Sequence, residues 1–181
     1  MNTFDVLIIG GGAAGLTAAL SASEEGARAA VLEAAPRIGR KILASGNGRC
    51  NLCNMGAPQY YGGQKLAEAV LAQCPVSRVL DFFHQIGLVT VEEAGGRVYP
   101  ACGQAAAVLD TLRRALDERA VPVICDAPAK AIARQGRTCA VETPQGVFAA
   151  PRVILCCGGI AGGKLGHDGS AYALLIGLGH H

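Results

Sequence analysis

Apolar positions arrive in short blocks along the chain, and the spacing inside each block predicts its element. Phe4 to Ile9 is a nearly unbroken apolar run, as a parallel strand buried on both faces requires. An Ala-rich segment from Ala13 predicts a helix ending at Gly26, a residue suited to the left-handed turn after a helix. Ala29 to Leu32 follows as a second strand, closed by Glu33. Parallel neighbours need a crossover, and the intervening helix has the length for one. Val76, Val79, Leu80 and Phe83 mark one amphipathic helix, and Val108, Leu112, Ala115 and Leu116 another. Leu88–Glu92 and Arg97–Tyr99 read as short strands about Gly95-Gly96. Further β-like runs occupy 121–125, 129–134, 138–143 and 147–149. Val153–Cys157 is a buried strand running into Gly158-Gly159, and Tyr172–Leu178 a final helix. Residues 36–63, rich in Gly, Asn, Arg and Pro, predict mainly an extended loop, which in a compact domain marks function. The whole is an α/β pattern, Rossmann-like, with a central parallel sheet.

Composition narrows the partners. Apolar residues make up 51% and charged residues 17%, which supports a packed core. A net charge of +2 with 4% aromatics gives no electrostatic reason to expect nucleic acid or an anionic membrane. Val6-Leu7-Ile8-Ile9 breaks at glycine, too short for a signal core or a membrane span, so a soluble protein is expected. Of the eight cysteines, several sit in apolar runs where a thiol behaves as a small hydrophobe, which fits a reducing cytoplasm. Cys50-x-x-Cys53 has no second Cys/His pair at zinc-finger spacing, so no metal site is expected.

Gly10-Gly11-Gly12-Ala13-Ala14-Gly15 satisfies G-x-G-x-x-G, with a buried strand before it and an Ala-rich helix after it. Gly10 permits the tight turn, Gly12 lets backbone approach a pyrophosphate, and Gly15 lets helix and sheet pack closely. Ala13 and Ala14 bring the helix's unpaired amides and its positive end to the diphosphate. Glu33 lies 18 residues after Gly15, where a carboxylate accepts hydrogen bonds from adenosine ribose hydroxyls and repels a 2′-phosphate. The fingerprint alone does not separate FAD from NAD, since both use it.

Arg37-Ile38-Gly39-Arg40-Lys41 leads into Ser45-Gly46-Asn47-Gly48-Arg49-Cys50-Asn51, with Asn54 beyond. Further on come Gly96-Arg97-Val98-Tyr99-Pro100, Val153-Ile154-Leu155-Cys156-Cys157-Gly158-Gly159 and Lys164-Leu165-Gly166-His167-Asp168-Gly169-Ser170. These stretches resemble the bacterial aminoacetone oxidase family of FAD-binding enzymes, whose FAD domain is of the fumarate reductase type. The likeness runs over nearly the whole chain. It departs at Gln104, where relatives often carry lysine, at Gly163 and His167, and at Cys156-Cys157, a position often written Ala-Thr. The resemblance implies FAD as cofactor and hydride transfer through flavin, with a small-molecule substrate and NAD(P)H as a candidate reductant. It implies that Arg40, Lys41, Gly48, Arg49 and Asn51 serve the diphosphate-to-flavin region, that Ala129 meets adenine through its backbone, and that Gly158 belongs to the cofactor site. It names no catalytic acid or base. Cys50 reads as a packed thiol, His84 as a surface residue, and Arg97 equally as a site residue or a structural one.

Full-length relatives are more than twice as long. The resemblance therefore implies that residues 1–181 are the amino-terminal, FAD-binding part of the domain pattern, incomplete at the C-terminus, without the substrate domain and returning flavin segment. A non-catalytic nucleotide-binding fragment and an NAD-dependent Rossmann enzyme are the alternative readings. Self-association or a complementing chain is expected, with apolar surface on the Val153–Cys157 strand and the final helix.

Overall fold

The structure is a computed structural model, described over residues 2–56, 60–159 and 169–180. Its elements, in chain order, are β1 (Asn2–Thr3), β2 (Val6–Ile9), α1 (Ala13–Glu24), β3 (Ala29–Leu32) and α2 (Arg40–Ala44). A 3-10 turn (Ser45–Gly48), β4 (Cys53–Asn54), α3 (Gln64–Gln73), α4 (Val76–Gln85), β5 (Thr90–Glu93), β6 (Arg97–Pro100) and α5 (Ala105–Glu118) follow. The chain closes with β7 (Val123–Ile124), β8 (Ala131–Gln135), β9 (Thr138–Thr143), β10 (Gly146–Ala150), β11 (Arg152–Leu155) and α6 (Ser170–Gly177). It divides into two compact units, residues 1–41 with 113–181, and residues 42–112.

In the first unit, β11, β2, β3 and β7 form a parallel sheet in that order, with Val6 paired to Arg152 on one side and Ala29 on the other. Every residue of β2 and β3 is buried, which explains their unbroken Val/Leu/Ile/Ala character. Helix α1 packs on this sheet through Gly15, Leu16, Ala19 and Leu20. It ends in a Schellman-type turn: Gly26, at φ +79°, donates to Ser23 O, and Ala27 donates to Ala22 O. A second sheet, β1-β10-β9-β8, is an antiparallel meander with β1 added in parallel. Val141, Phe148 and Ala150 from it share one apolar cluster with Leu7, Ile9, Ala30, Leu32 and Ala127.

The second unit holds an antiparallel sheet, β4-β6-β5, in which Glu93 pairs with Arg97 across the Ala94-Gly95-Gly96 turn. The stripe Val76, Val79, Leu80, Phe83 faces inward on α4, as its spacing predicts. Residues 36–63, expected as mainly extended loop, contain α2, the 3-10 turn and β4; only 57–59 of this stretch lie outside the described residues. Helix α2 is five residues long with Ile42 alone buried, too short to show a periodic stripe. Helix α3 also went unforeseen, because it buries no residue. The apolar surface expected near the C-terminus is present: Ile154, Tyr172, Ile176 and Leu178 are exposed. Among the described residues no helix is long and apolar enough to cross a membrane.

Candidate functional site

The carboxyl ends of β2, β3, β7 and β11 meet at one edge of the parallel sheet, where α/β folds of this kind bind ligands. A cleft of about 1160 Å³ opens there, entirely within the first unit. It is lined by the glycine turn Gly10–Ala14, by Glu33–Ala35, Arg37 and Gly39–Lys41, by Pro128–Ile132, by Cys156–Gly158, and by Ala173, Leu174 and Gly177 of α6.

Each motif glycine has a distinct reason to be glycine. Gly10 holds φ +111°, and a Cβ there would stand 2.5 Å from Cys156 O. A Cβ on Gly15 would lie 1.8 Å from Gly10 O, so the helix rests directly on the strand exit. Gly15 is buried and does not line the cleft, in keeping with its packing role. Gly12 is different: it has an ordinary extended backbone, φ −87°, and a Cβ would meet nothing within 4 Å. The space in front of Gly12 is open to the cleft.

Glu33 is held in place by two main-chain donors. Gly11 N–H donates to its Oε2 at 2.6 Å and Ala35 N–H to its Oε1 at 2.8 Å. Gly39 N–H donates to Gly11 O at 2.8 Å, which pins the 34–39 loop against the glycine turn. Asp126 N–H and Ala127 N–H donate to Ala35 O and Glu33 O, and so place the 128–132 segment along the cleft. Lys41 crosses to the opposite side, where a Cβ on Gly158 (φ +78°) would meet its Nζ at 2.7 Å. Four lining side chains are cationic (Arg37, Arg40, Lys41, Lys130) and one, Glu33, is anionic, a balance that favours an anionic ligand.

Of the sequence-predicted site residues, the cleft gathers Gly10, Gly12, Ala13, Ala14, Glu33, Arg40, Lys41, Ala129 and Gly158. Gly48, Arg49 and Asn51 belong to the second unit, where Arg49 and Asn51 are bonded. The Arg49 guanidinium makes a two-pronged ion pair with Glu93 and lies 4.1 Å over the Tyr99 ring. The pairing raises the guanidinium pKa and holds the Glu93 carboxyl below its usual range. Asn51, with its amide nitrogen turned inward, donates to Cys53 O at 2.9 Å and Val98 O at 3.2 Å. Asn54 Nδ2 donates to Gly95 O at 3.0 Å. Cys50 is a buried thiol with a left-handed backbone, φ +58°. His84 is exposed, with Nε2 2.7 Å from Thr90 Oγ1, and Arg97 is exposed at its hairpin turn. The stretch Lys164–Asp168, together with Gly163, lies outside the described residues.

The sequence reading missed Lys130, Ile132, Cys156, Cys157, Ala173 and Leu174 as lining residues. Strand alternation could not have singled out 130 and 132, because 128–132 line the cleft as a continuous stretch. Burial pushes the thiols of Cys156 and Cys157 above the usual range, with Glu33 adding to the shift at Cys157.

The HI0933-like protein Rossmann domain family matches residues 4–181. The 3-dehydro-bile acid delta(4,6)-reductase of Clostridium scindens is 42% identical over 178 residues, which cover 96% of this chain and 43% of the reductase. The ribosomal RNA dihydrouridine synthase of Escherichia coli is 33% identical over 102 residues, 55% of this chain and 26% of that enzyme. Among solved structures, THI4 of Thermovibrio ammonificans superposes with a TM-score of 0.63 at 16% identity, over 96% of this chain and 61% of its own, a likeness of fold. The chain thus spans less than half the length of these two curated relatives.

Proposed function

Because the chain belongs to the HI0933-like Rossmann-domain family, we propose that it forms the FAD-binding part of a flavin-dependent oxidoreductase acting on a small organic substrate. The observation that carries this reading is the cleft at the strand ends, with a preoriented carboxylate, an open glycine face and paired cations. Glu33 would accept from the adenosine ribose hydroxyls while its amide partners keep it aimed. The amides of Gly12 to Ala14 at the start of α1 would hold the diphosphate, with Arg40 and Lys41 neutralising its charge. The Ala129 backbone would meet the adenine, and Gly158 keeps the far wall low enough for Lys41 to reach in.

When bound, FAD supplies the two-electron hydride chemistry, and the residues here bind and orient it. Both units are read as one FAD-binding domain. The apolar lining from Ile132, Ala173 and Leu174 suits aromatic ring systems. The bile-acid name of one relative supports a small-molecule substrate, and the modest net charge gives no pull toward nucleic acid. NAD(P)H is the candidate reductant, the cytoplasm the expected compartment, and self-association the expected fate of the exposed apolar face of α6.

A visible absorption spectrum of the purified chain, followed by FAD titration with fluorescence detection, tests the proposal. Saturable binding that Glu33→Ala weakens about 10- to 100-fold is expected, since a hydrogen bond to a charged group contributes about 1.5–3 kcal/mol. A folded chain that takes up NAD but not FAD, or a Glu33→Ala variant with unchanged affinity, would defeat it.

A further inference from the structure

Ile38 is a buried residue in an exposed loop. Ala34, Pro36 and Arg37 before it are exposed, while Ile38 is only 6% exposed. It does not line the cleft, although its neighbours Arg37 and Gly39 do. Its side chain goes instead to Gly11. A Cβ on that glycine would stand 2.4 Å from Ile38 Cγ2 and 3.1 Å from Ile38 Cβ, so the Cγ2 methyl fills the space a side chain there would need. Gly11 is not among the glycines with a positive φ. Space, rather than backbone conformation, makes this position glycine.

The same glycine aims the carboxylate. Its N–H donates to Glu33 Oε2 at 2.6 Å, and its carbonyl accepts from Gly39 N–H at 2.8 Å. Gly11 is thus held at its amide, at its carbonyl and by the Ile38 methyl. A carboxylate offers about four acceptor sites, shared between its two oxygens. The Gly11 and Ala35 amides each take a site on a different oxygen, which leaves both oxygens able to accept from a pair of neighbouring hydroxyls. β-Branching keeps χ1 of isoleucine narrow, so Cγ2 is a stiff stop. A binding group keeps its aim when the residues behind it are locked in this way.

We infer that Ile38 is a positioning residue. Through Cγ2 it fixes the Gly11 amide, and through that amide it sets Glu33 to select a ribose carrying both hydroxyls. The ligand half of this inference rests on the FAD reading of the cleft, and the positioning half on contacts within the chain. The β-branch, rather than apolar bulk, is then the feature that matters. Valine keeps a γ carbon at the Cγ2 position. Leucine matches isoleucine in size but lacks the branch.

The test is amide hydrogen exchange by NMR on the 181-residue chain, followed by calorimetric binding of ADP and 2′-deoxy-ADP. Ile38→Leu should speed exchange of the Gly11 amide about tenfold, while Ile38→Val leaves it near the wild-type rate and the β2 amides stay protected in both. Ile38→Met, also unbranched at Cβ, repeats the comparison if leucine disturbs folding. The wild type should prefer ADP over 2′-deoxy-ADP about tenfold, as a hydroxyl bonded to a carboxylate implies. Ile38→Leu should lose most of that preference and Ile38→Val keep it. In a Glu33→Ala background, Ile38→Leu should change the preference no further. Leucine that protects Gly11 as isoleucine does, valine that fails with leucine, or β2 amides that lose protection together with Gly11 overturns the proposal. A wild-type chain that binds neither nucleotide, or both alike, defeats the FAD reading of Glu33, and the exchange rates still decide whether Ile38 sets the Gly11 amide.

Discussion

Gly15→Ala should destabilise the protein even though alanine is the better helix former. Within α1 the intrinsic preference favours alanine over glycine by about 1 kcal/mol. The added Cβ, however, would stand 1.8 Å from Gly10 O and 3.2 Å from Ile8 Cγ2. An ordinary carbon–oxygen contact is about 3.3 Å or more, so the helix must move off the sheet by roughly 1.5 Å or the turn must deform. Neither yields easily. The obstacle is main chain, and Leu16, Ala19 and Leu20 on the same helix are fully buried. Overpacking of this kind costs about 1–3 kcal/mol, which for a chain of this size lowers Tm by roughly 3–10 °C. Gly12→Ala is the matched control. Its Cβ meets nothing within 4 Å and its backbone is ordinary, so its Tm should stay near that of the wild type. The same methyl stands in the open cleft, so FAD affinity should fall. Thermal unfolding followed by circular dichroism, with FAD titration of the same samples, separates the two effects. A Gly15→Ala protein that melts with the wild type, or a Gly12→Ala protein that binds FAD unchanged, would refute the reasoning.

Gly158→Ala should weaken FAD binding more than it lowers stability: φ is +78° and the new Cβ would displace the Lys41 ammonium now 2.7 Å away, which FAD titration at two salt concentrations would reveal. Iodoacetamide should label Cys156 and Cys157 more slowly than the exposed Cys74 and Cys102, because burial raises the first two, and peptide mapping across alkaline pH would show their rates rising last. The Arg49–Glu93 pair should resist acid. Glu93 is held below its usual 4.5, so its contribution is fully present above that value and is lost only as pH falls through the lower folded one. Comparing wild type with Glu93→Gln in urea melts at pH 7, 4.5 and 3 would check this; a stability difference already gone at pH 4.5 would contradict it.

What could be read in advance depended on burial and on sequence distance. β2, β3, α1 and the hairpin of β5 and β6 announced themselves, because fully buried strands, a helix bounded by glycine and a Gly-Gly turn between short β-like runs leave local signatures. Helices α2 and α3 left none, one being a single turn and the other burying nothing. The glycine turn and Glu33 at the cleft were legible for the same local reason, since Gly10, Gly12, Gly15 and Glu33 follow a spacing imposed by one strand-turn-helix-strand unit. Pairings across long separations were not. Nothing near Arg49 in sequence points to Glu93 or Tyr99, and nothing near Lys41 points to Gly158. Spacing also gave no hint that Glu33 would rest on the Gly11 and Ala35 amides.

The cleft is built chiefly of main chain, and that decides how it should be probed. Gly10 to Ala14, Ala34, Ala35, Ala129, Ala131 and Gly158 contribute amides, carbonyls and small surfaces, with almost no side chain to remove. Alanine scanning therefore has purchase on few lining residues, chief among them Glu33, Arg40 and Lys41. Elsewhere the informative change adds atoms. A Cβ on Gly10 would strike Cys156 O, one on Gly11 would stand 2.4 Å from Ile38 Cγ2, and one on Gly12 would project into the open cleft. The first two alter the scaffold and the third alters only the space a ligand would need. By the same logic Arg49, Asn51 and Asn54, conspicuous in the sequence, bond to the β5 and β6 hairpin and its turn, to β4 and to Tyr99. Their removal should appear first as lost protection of the β5 and β6 amides in hydrogen exchange. A motif can thus mark a family through the fold it secures as well as through the ligand it touches.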